Sequence, residues 1–135
     1  NLRLVPRELR KKCFVIHMLH DGLLPDRQAI LVRLNVIEGK RTELLDLLNT
    51  YADRIGEEPG TEVYTVLVDP DSDSIVWLFE VFTNEEAEVL HRQSIGFTDL
   101  MHGLQKVLDG SPGILRMNPL RMTMQEDMFT QDWSF

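Results

Sequence analysis

The sequence predicts an α+β domain in which one four-stranded antiparallel sheet carries helices on a single face. Two observations predict it. The segment from Ile75 to Phe82 has Ile75, Trp77, Phe79 and Val81 on one side and Val76, Leu78, Glu80 and Phe82 on the other. A half-solvated strand alternates polar and apolar residues, so this one reads as a central strand covered on both faces. Segments of helical periodicity lie before and after a β-hairpin, in a chain of 135 residues, long enough for one hydrophobic core and too short for two.

The elements follow in order. From Ala29 to Ile37, Ile30, Val32, Leu34 and Val36 alternate with Leu31, Arg33, Asn35 and Ile37, the pattern of a first strand. After Gly39, the residues Leu44, Leu47, Leu48, Tyr51, Ala52 and Ile55 recur at three- and four-residue spacing, which predicts a helix ending near Gly56, ahead of Pro59 and Gly60. Thr61 to Asp69 and Ser74 to Phe82, joined by the polar turn Pro70-Asp71-Ser72-Asp73, form the hairpin. Thr83 with Glu86 has the chemistry of a capping box, and the helix it starts turns Ala87, Leu90, His91 and Ser94 inward. A break at Gly96 precedes a second stretch carrying Phe97, Leu100, Met101, Leu104, Val107 and Leu108. Ile114 to Met122 supplies a fourth strand, with Pro119 at an edge or bulge. The resulting order, β-α-β-β-α-β over residues 29–122, is that of the ferredoxin-like sandwich.

Helices on one face leave the other open. A sheet-to-sheet homodimer is expected to cover it, since a wet four-stranded apolar face forfeits roughly 25 cal/mol per Å². The flanking segments are the rival cover. Residues 1–28 form an N-terminal extension whose Pro6, Glu8, Leu9, Lys11 and Lys12 suggest a short amphipathic helix, although Cys13 to Ile16 also suits a strand; 123–135 form a tail rich in Met, Phe and Trp.

Composition narrows the function. Hydrophobic residues at 43% and charged ones at 27% are ordinary globular values, and no apolar run approaches the roughly 18 residues of a membrane span. A single cysteine, no secretory signal pattern and an opening residue, Asn1, that suggests a trimmed start together fit a reducing cytoplasm. The net charge of −8 splits into +3 for residues 1–28 and −11 for 29–135. So acidic a body repels phosphate backbones, which argues against nucleic acid as a partner. The spacing of His17, His20, His91 and His102 fits no metal cluster, and neither a phosphate-binding glycine loop nor a nucleophile elbow is present.

Gly39 before the first helix, the turn Glu57-Glu58-Pro59-Gly60 leading to Tyr64, the strand end Leu78-Phe79-Glu80-Val81-Phe82, and Ala87 with His91 and Phe97 resemble, in order and spacing, the antibiotic biosynthesis monooxygenase family of small dimeric proteins. The resemblance spans about Ala29 to Leu120. It implies a monooxygenase that needs no cofactor and no metal: an acidic phenol, quinol or anthrone is deprotonated, the electron-rich anion reduces O2 itself, and the protein supplies a base, an anion stabiliser and a dry pocket. Haem-degrading relatives carry a Trp where this chain has His91 and a His where it has Met101, so haem degradation is disfavoured.

His91 is the candidate base. It lies on the inner stripe of a helix, aligns with the family's recurring histidine, and has an ordinary pKa near 6.5; a packing histidine bonded to a backbone carbonyl or to Glu80 is the plainer alternative. Glu80 needs a partner, because an isolated buried carboxylate is costly, and either His91 or Arg33 would serve. Asn35 or Arg33 would polarise a substrate oxygen. Tyr64, Trp77, Phe79, Phe97 and Met101 are expected to line a pocket between sheet and helices, in the plainer alternative simply as core or interface side chains. The expected ligands are a small apolar aromatic molecule and O2. A non-catalytic dimeric binding protein for an apolar metabolite is the alternative function.

Overall fold

A computed structural model of the chain describes residues 26–122. The N-terminal extension up to residue 25 and the tail from residue 123 lie outside them. Four strands, β1 (Gln28–Asn35), β2 (Thr61–Val68), β3 (Ile75–Phe82) and β4 (Gly113–Met117), form one antiparallel sheet in the order β2-β3-β1-β4. Three helices, α1 (Arg41–Ala52), α2 (Glu85–Gln93) and α3 (Ile95–Leu104), complete the ferredoxin-like sandwich.

The alternation read from the sequence governs the sheet. β1 pairs β3 with Ile30 opposite Glu80 and Leu31 opposite Phe79, and pairs β4 with Ile30 opposite Arg116. Ile30, Val32, Leu34, Val76, Leu78 and Phe82 are therefore buried beneath Leu44, Leu48 and Tyr51 of α1 and Leu100 and Leu104 of α3. On the opposite face Leu31, Trp77 and Phe79 are half-buried, while Leu67, Leu115 and Met117 are exposed.

Several boundaries differ from expectation, each for a local reason. β1 stops at Asn35, opposite Ile75, the first residue of β3; Val36 makes a lone bridge to Leu108 while its N–H still reaches the Ser74 carbonyl. β4 stops at Met117, which already faces Ala29; two residues beyond that there is no strand left for Pro119 to pair with. α2 is capped by Asn84, not Thr83: the Asn84 backbone is extended and its side-chain oxygen accepts from Ala87 N at 2.8 Å. Thr83 instead donates its hydroxyl toward Gly60 O and Glu62. The helices part at Ser94 rather than Gly96, since the Ser94 hydroxyl accepts from Phe97 N at 3.1 Å and donates to His91 O at 2.8 Å. One residue thus starts α3 and ties off the turn that carries His91.

Gly60 is required by packing. A Cβ there would lie 2.5 Å from that of Ala87, so only glycine lets the turn before β2 press against α2. That contact brings Glu58 beneath His91.

Candidate active site

His91 points inward from α2 and is 3% exposed. Its Nδ1 lies 2.8 Å from Glu58 Oε1 and 2.7 Å from the Tyr51 hydroxyl oxygen. Glu58 comes from the turn after α1, just before Pro59, with a non-helical backbone, and Tyr51 from the last turns of α1. The Tyr51 hydroxyl donates to Glu58 Oε2 at 2.6 Å, and Thr61 donates to Oε1 at 3.2 Å. Because the one Tyr51 proton goes to Glu58, both neighbours of Nδ1 are acceptors. Counting hydrogen bonds therefore assigns the imidazole proton to Nδ1 and leaves Nε2 with a free lone pair. The Phe97 and Phe82 rings, centred 4.5 and 4.9 Å from the imidazole, fix its plane by packing.

His91 lines a cavity of about 140 Å³ between the sheet and α2–α3, and Nε2 is the ring atom turned toward Glu80, another lining residue. Ile30, Val32, Leu34, Leu78, Leu100 and Leu104 make most of its wall, with Tyr64, Phe97 and Met101; Glu80, Glu88, His91, Arg92 and Arg116 are its charged or titratable members. Glu80 Oε1 stands 3.7 Å from His91 Nε2, too far for a direct hydrogen bond, and one oxygen atom lying to the side of the line joining them can reach both. Glu88, buried on α2, is ion-paired with Arg116 of β4.

These surroundings set the protonation states. Burial pushes the Glu80 carboxyl up to about 7, with the Glu58 and Glu88 carboxylates adding to the effect. Burial pulls His91 below its ordinary value, outweighing the pull of Glu58 in the other direction, so the imidazole is neutral at pH 7. Both Tyr51 and Tyr64 are raised, chiefly by burial, and stay protonated.

A pH signature follows from Glu80. Its folded pKa exceeds its ordinary 4.5, so across that interval the folded chain keeps a proton the unfolded chain has lost. Stability from this group is full below pH 4.5 and falls as pH rises toward 7, by on the order of 3 kcal/mol. His91 works oppositely, costing stability as pH drops below its ordinary range. Comparison with Glu80→Gln isolates the first effect: the melting temperature of the wild type relative to the variant should fall by on the order of 10 °C between those limits. A constant difference across that range would mean the carboxyl is not raised.

His91, Glu80, Tyr64, Phe97 and Met101, all singled out from the sequence, meet at this cavity. Arg33, Asn35, Trp77 and Phe79 do not. They lie on the opposite face of the sheet, one register step from the cavity-lining residues, and strand geometry forbids them from turning through it. Arg33 faces Trp77 with its guanidinium carbon 5.9 Å from the ring centre, so an Arg33–Glu80 pair is ruled out, and the Asn35 side chain makes no hydrogen bond among the described residues, while its backbone carbonyl accepts from Asp109 N. Sequence reasoning missed Glu58 and Tyr51 as partners of His91, Thr61 as a partner of Glu58, and Glu88, Arg92 and Arg116 as lining. Glu-Pro-Gly just after a helix was the available signal for Glu58: proline keeps the preceding residue out of the helix, and glycine admits the close contact. Among the described residues no group of three or more His, Cys, Asp or Glu side chains is placed to hold a metal, and no helix is long and apolar enough to cross a membrane.

A ferredoxin-like sheet with a histidine-bearing cavity under its helices defines a class of small α+β proteins. The model of the antibiotic biosynthesis monooxygenase family matches residues 28–103, and the chain belongs to that family. Solved structures share the fold at low identity. A protein of unknown function from Nitrosomonas europaea has 23% identity and a TM-score of 0.68, covering 77% of this chain and 98% of its own. A conserved protein from Methanosarcina mazei has 20% identity and a TM-score of 0.65, covering 71% and 93%. SnoaB, a cofactor-independent oxygenase from Streptomyces nogalater solved as a mutant, has 21% identity and a TM-score of 0.63, covering 75% and 99%. No curated protein sequence matches this chain significantly.

Proposed function

We propose that the chain is a cofactor-independent monooxygenase that oxidises a small phenolic or quinol-type molecule with O2. The supporting observation is an apolar cavity lined by a neutral imidazole whose Nε2 stands 3.7 Å from a raised carboxyl that also lines it. A phenol oxygen seated beside the pair, within reach of both, gives its proton to Nε2. The phenolate then passes one electron to O2, and the resulting radical pair joins at a ring carbon that bears hydrogen. Breaking the O–O bond of that peroxide expels water and leaves a carbonyl. Phenol plus O2 becomes quinone plus water, so atoms and electrons balance with no external reductant. Glu80, protonated below about pH 7, is placed to supply the proton for the departing hydroxide.

Size refines the substrate. An apolar protein cavity near 150 Å³ holds benzene, so about 140 Å³ suits one aromatic ring. A three-ring anthrone would have to extend through the mouth. A second reading, non-catalytic binding of an apolar metabolite, is favoured by one fact: Arg33 and Asn35 face away, leaving the cavity without the side chains expected to polarise a substrate oxygen. Oxygen uptake separates the two. The oxygenase consumes one O2 per quinone formed across a panel of single-ring phenols and quinols; saturable binding with no uptake leaves only the second reading.

A second copy of the chain is the proposed cover for the outer face of the sheet, supported by half-buried Leu31, Trp77 and Phe79 and exposed Leu115 and Met117. Sedimentation equilibrium should return twice the 15.7 kDa chain mass, and Phe79→Arg should return the single mass with the fold intact. A wild-type monomer would count against it.

A further inference from the structure

The charges round the cavity sort into satisfied groups and one remainder. Glu58 is held by Tyr51, Thr61 and His91, and the buried Glu88 by Arg116. Glu80 is kept neutral by its apolar walls until about pH 7. Arg92 follows His91 on α2, lines the same cavity and is exposed; among the described residues it makes no ion pair or side-chain hydrogen bond. Even Glu88, one turn earlier on the same helix and its natural i,i+4 partner, is committed to Arg116. In a chain of net charge −8, a guanidinium left without a counter-charge at a ligand site is out of keeping with its surroundings.

Position gives this charge a use. A residue that both lines a cavity and reaches solvent sits at its opening, as Arg92 and the Arg116 side chain, 56% exposed, both do. His91 and Glu80, nearly fully buried, mark the closed end. A cavity sized for one ring leaves no room for a further substituent except toward the mouth. The geometry points to a substrate whose ring carries a carboxylate remote from its hydroxyl, with Arg92 binding that carboxylate at the mouth. This rests on the proposed seating of a phenolic hydroxyl at His91 and adds the chemical class of the substrate's other end. Guanidinium and carboxylate are matched for a two-point, charge-assisted contact, which lysine makes less well.

Calorimetric titration of the whole chain with 3-(4-hydroxyphenyl)propanoate and with its primary amide tests this, since the two differ only in the anionic end. The acid should bind the wild type about tenfold or more tightly than the amide at low salt, with the margin shrinking as salt rises from about 50 to about 500 mM. Arg92→Gln should abolish the margin, and Arg92→Lys should keep part of it. Equal affinities in the wild type, or a margin that survives in Arg92→Gln, overturns the inference. The base reading is tested separately by the amide, which keeps the phenol: if it binds His91→Gln as tightly as wild type, the seating of the hydroxyl falls. If neither probe binds the wild type, both fall.

Discussion

Replacing His91 with glutamine is expected to lower phenol-dependent oxygen uptake by about 10²–10⁴-fold while the fold persists. Glutamine fills much of the imidazole's volume and keeps a polar group against Glu58 and Tyr51, so the buried network retains a partner. What it lacks is a lone pair basic enough to take a phenolic proton near neutrality, and without the phenolate the electron transfer to O2 has no donor. Circular dichroism and thermal melting should place the variant close to wild type, which separates loss of the base from loss of the structure. Uptake within a few-fold of wild type would remove His91 from the chemistry.

Replacing Glu58 with leucine should have the largest effect on stability. The Glu58 carboxylate accepts from Tyr51 and Thr61 and holds His91 Nδ1, all within 3.2 Å and all buried. Leucine leaves three polar groups competing for too few partners; Tyr51 and His91 can still pair with each other, and the rest goes unmet. A loss of about 2–4 kcal/mol is expected, since each buried unsatisfied group costs about 1–3. On a domain of this size that lowers the melting temperature on the order of 10–20 °C. Glu58→Gln should be gentler on the fold and harsher on the tautomer. Its carbonyl can still accept from Tyr51, while its amide, turned toward Nδ1, favours the proton on Nε2, where a base is useless. Activity should fall well beyond the change in stability; parallel losses would mean that Glu58 is purely structural.

The fold was largely legible because it rests on short-range periodicities. β3 spans Ile75–Phe82 as its two apolar faces implied, and α1 follows its leucine stripe. Where two side chains compete for one role the sequence is ambiguous: Thr83 and Asn84 both suit an N-cap, and the contest was decided by Thr83 bonding to Gly60 and Glu62 of the neighbouring turn and strand. The site was half legible. His91 and Glu80 are polar residues on apolar stripes, a conflict that shows in the sequence itself. Glu58 sits in a turn where acidic residues are commonplace, and two of its three partners lie 7 and 33 residues away, so only the tertiary fold reveals it. Trp77 and Phe79 were expected at the pocket together with Glu80, although alternation along β3 puts them on the opposite face from it. Register outranks residue type here, because a strand residue cannot change faces without moving all its neighbours.

Glu80 was the single polar interruption in the strand that first defined the fold, and it now stands 3.7 Å from the lone pair assigned to His91. A base at His91 requires this lone pair, on Nε2, to be free and open to a substrate in the cavity. Heteronuclear NMR of the His91 ring nitrogens at neutral pH tests it most directly. The expected spectrum has a proton on Nδ1 and none on Nε2, with the Nε2 resonance moving when a single-ring phenol is added. A proton found on Nε2, or an Nε2 resonance indifferent to the phenol, would contradict the claim.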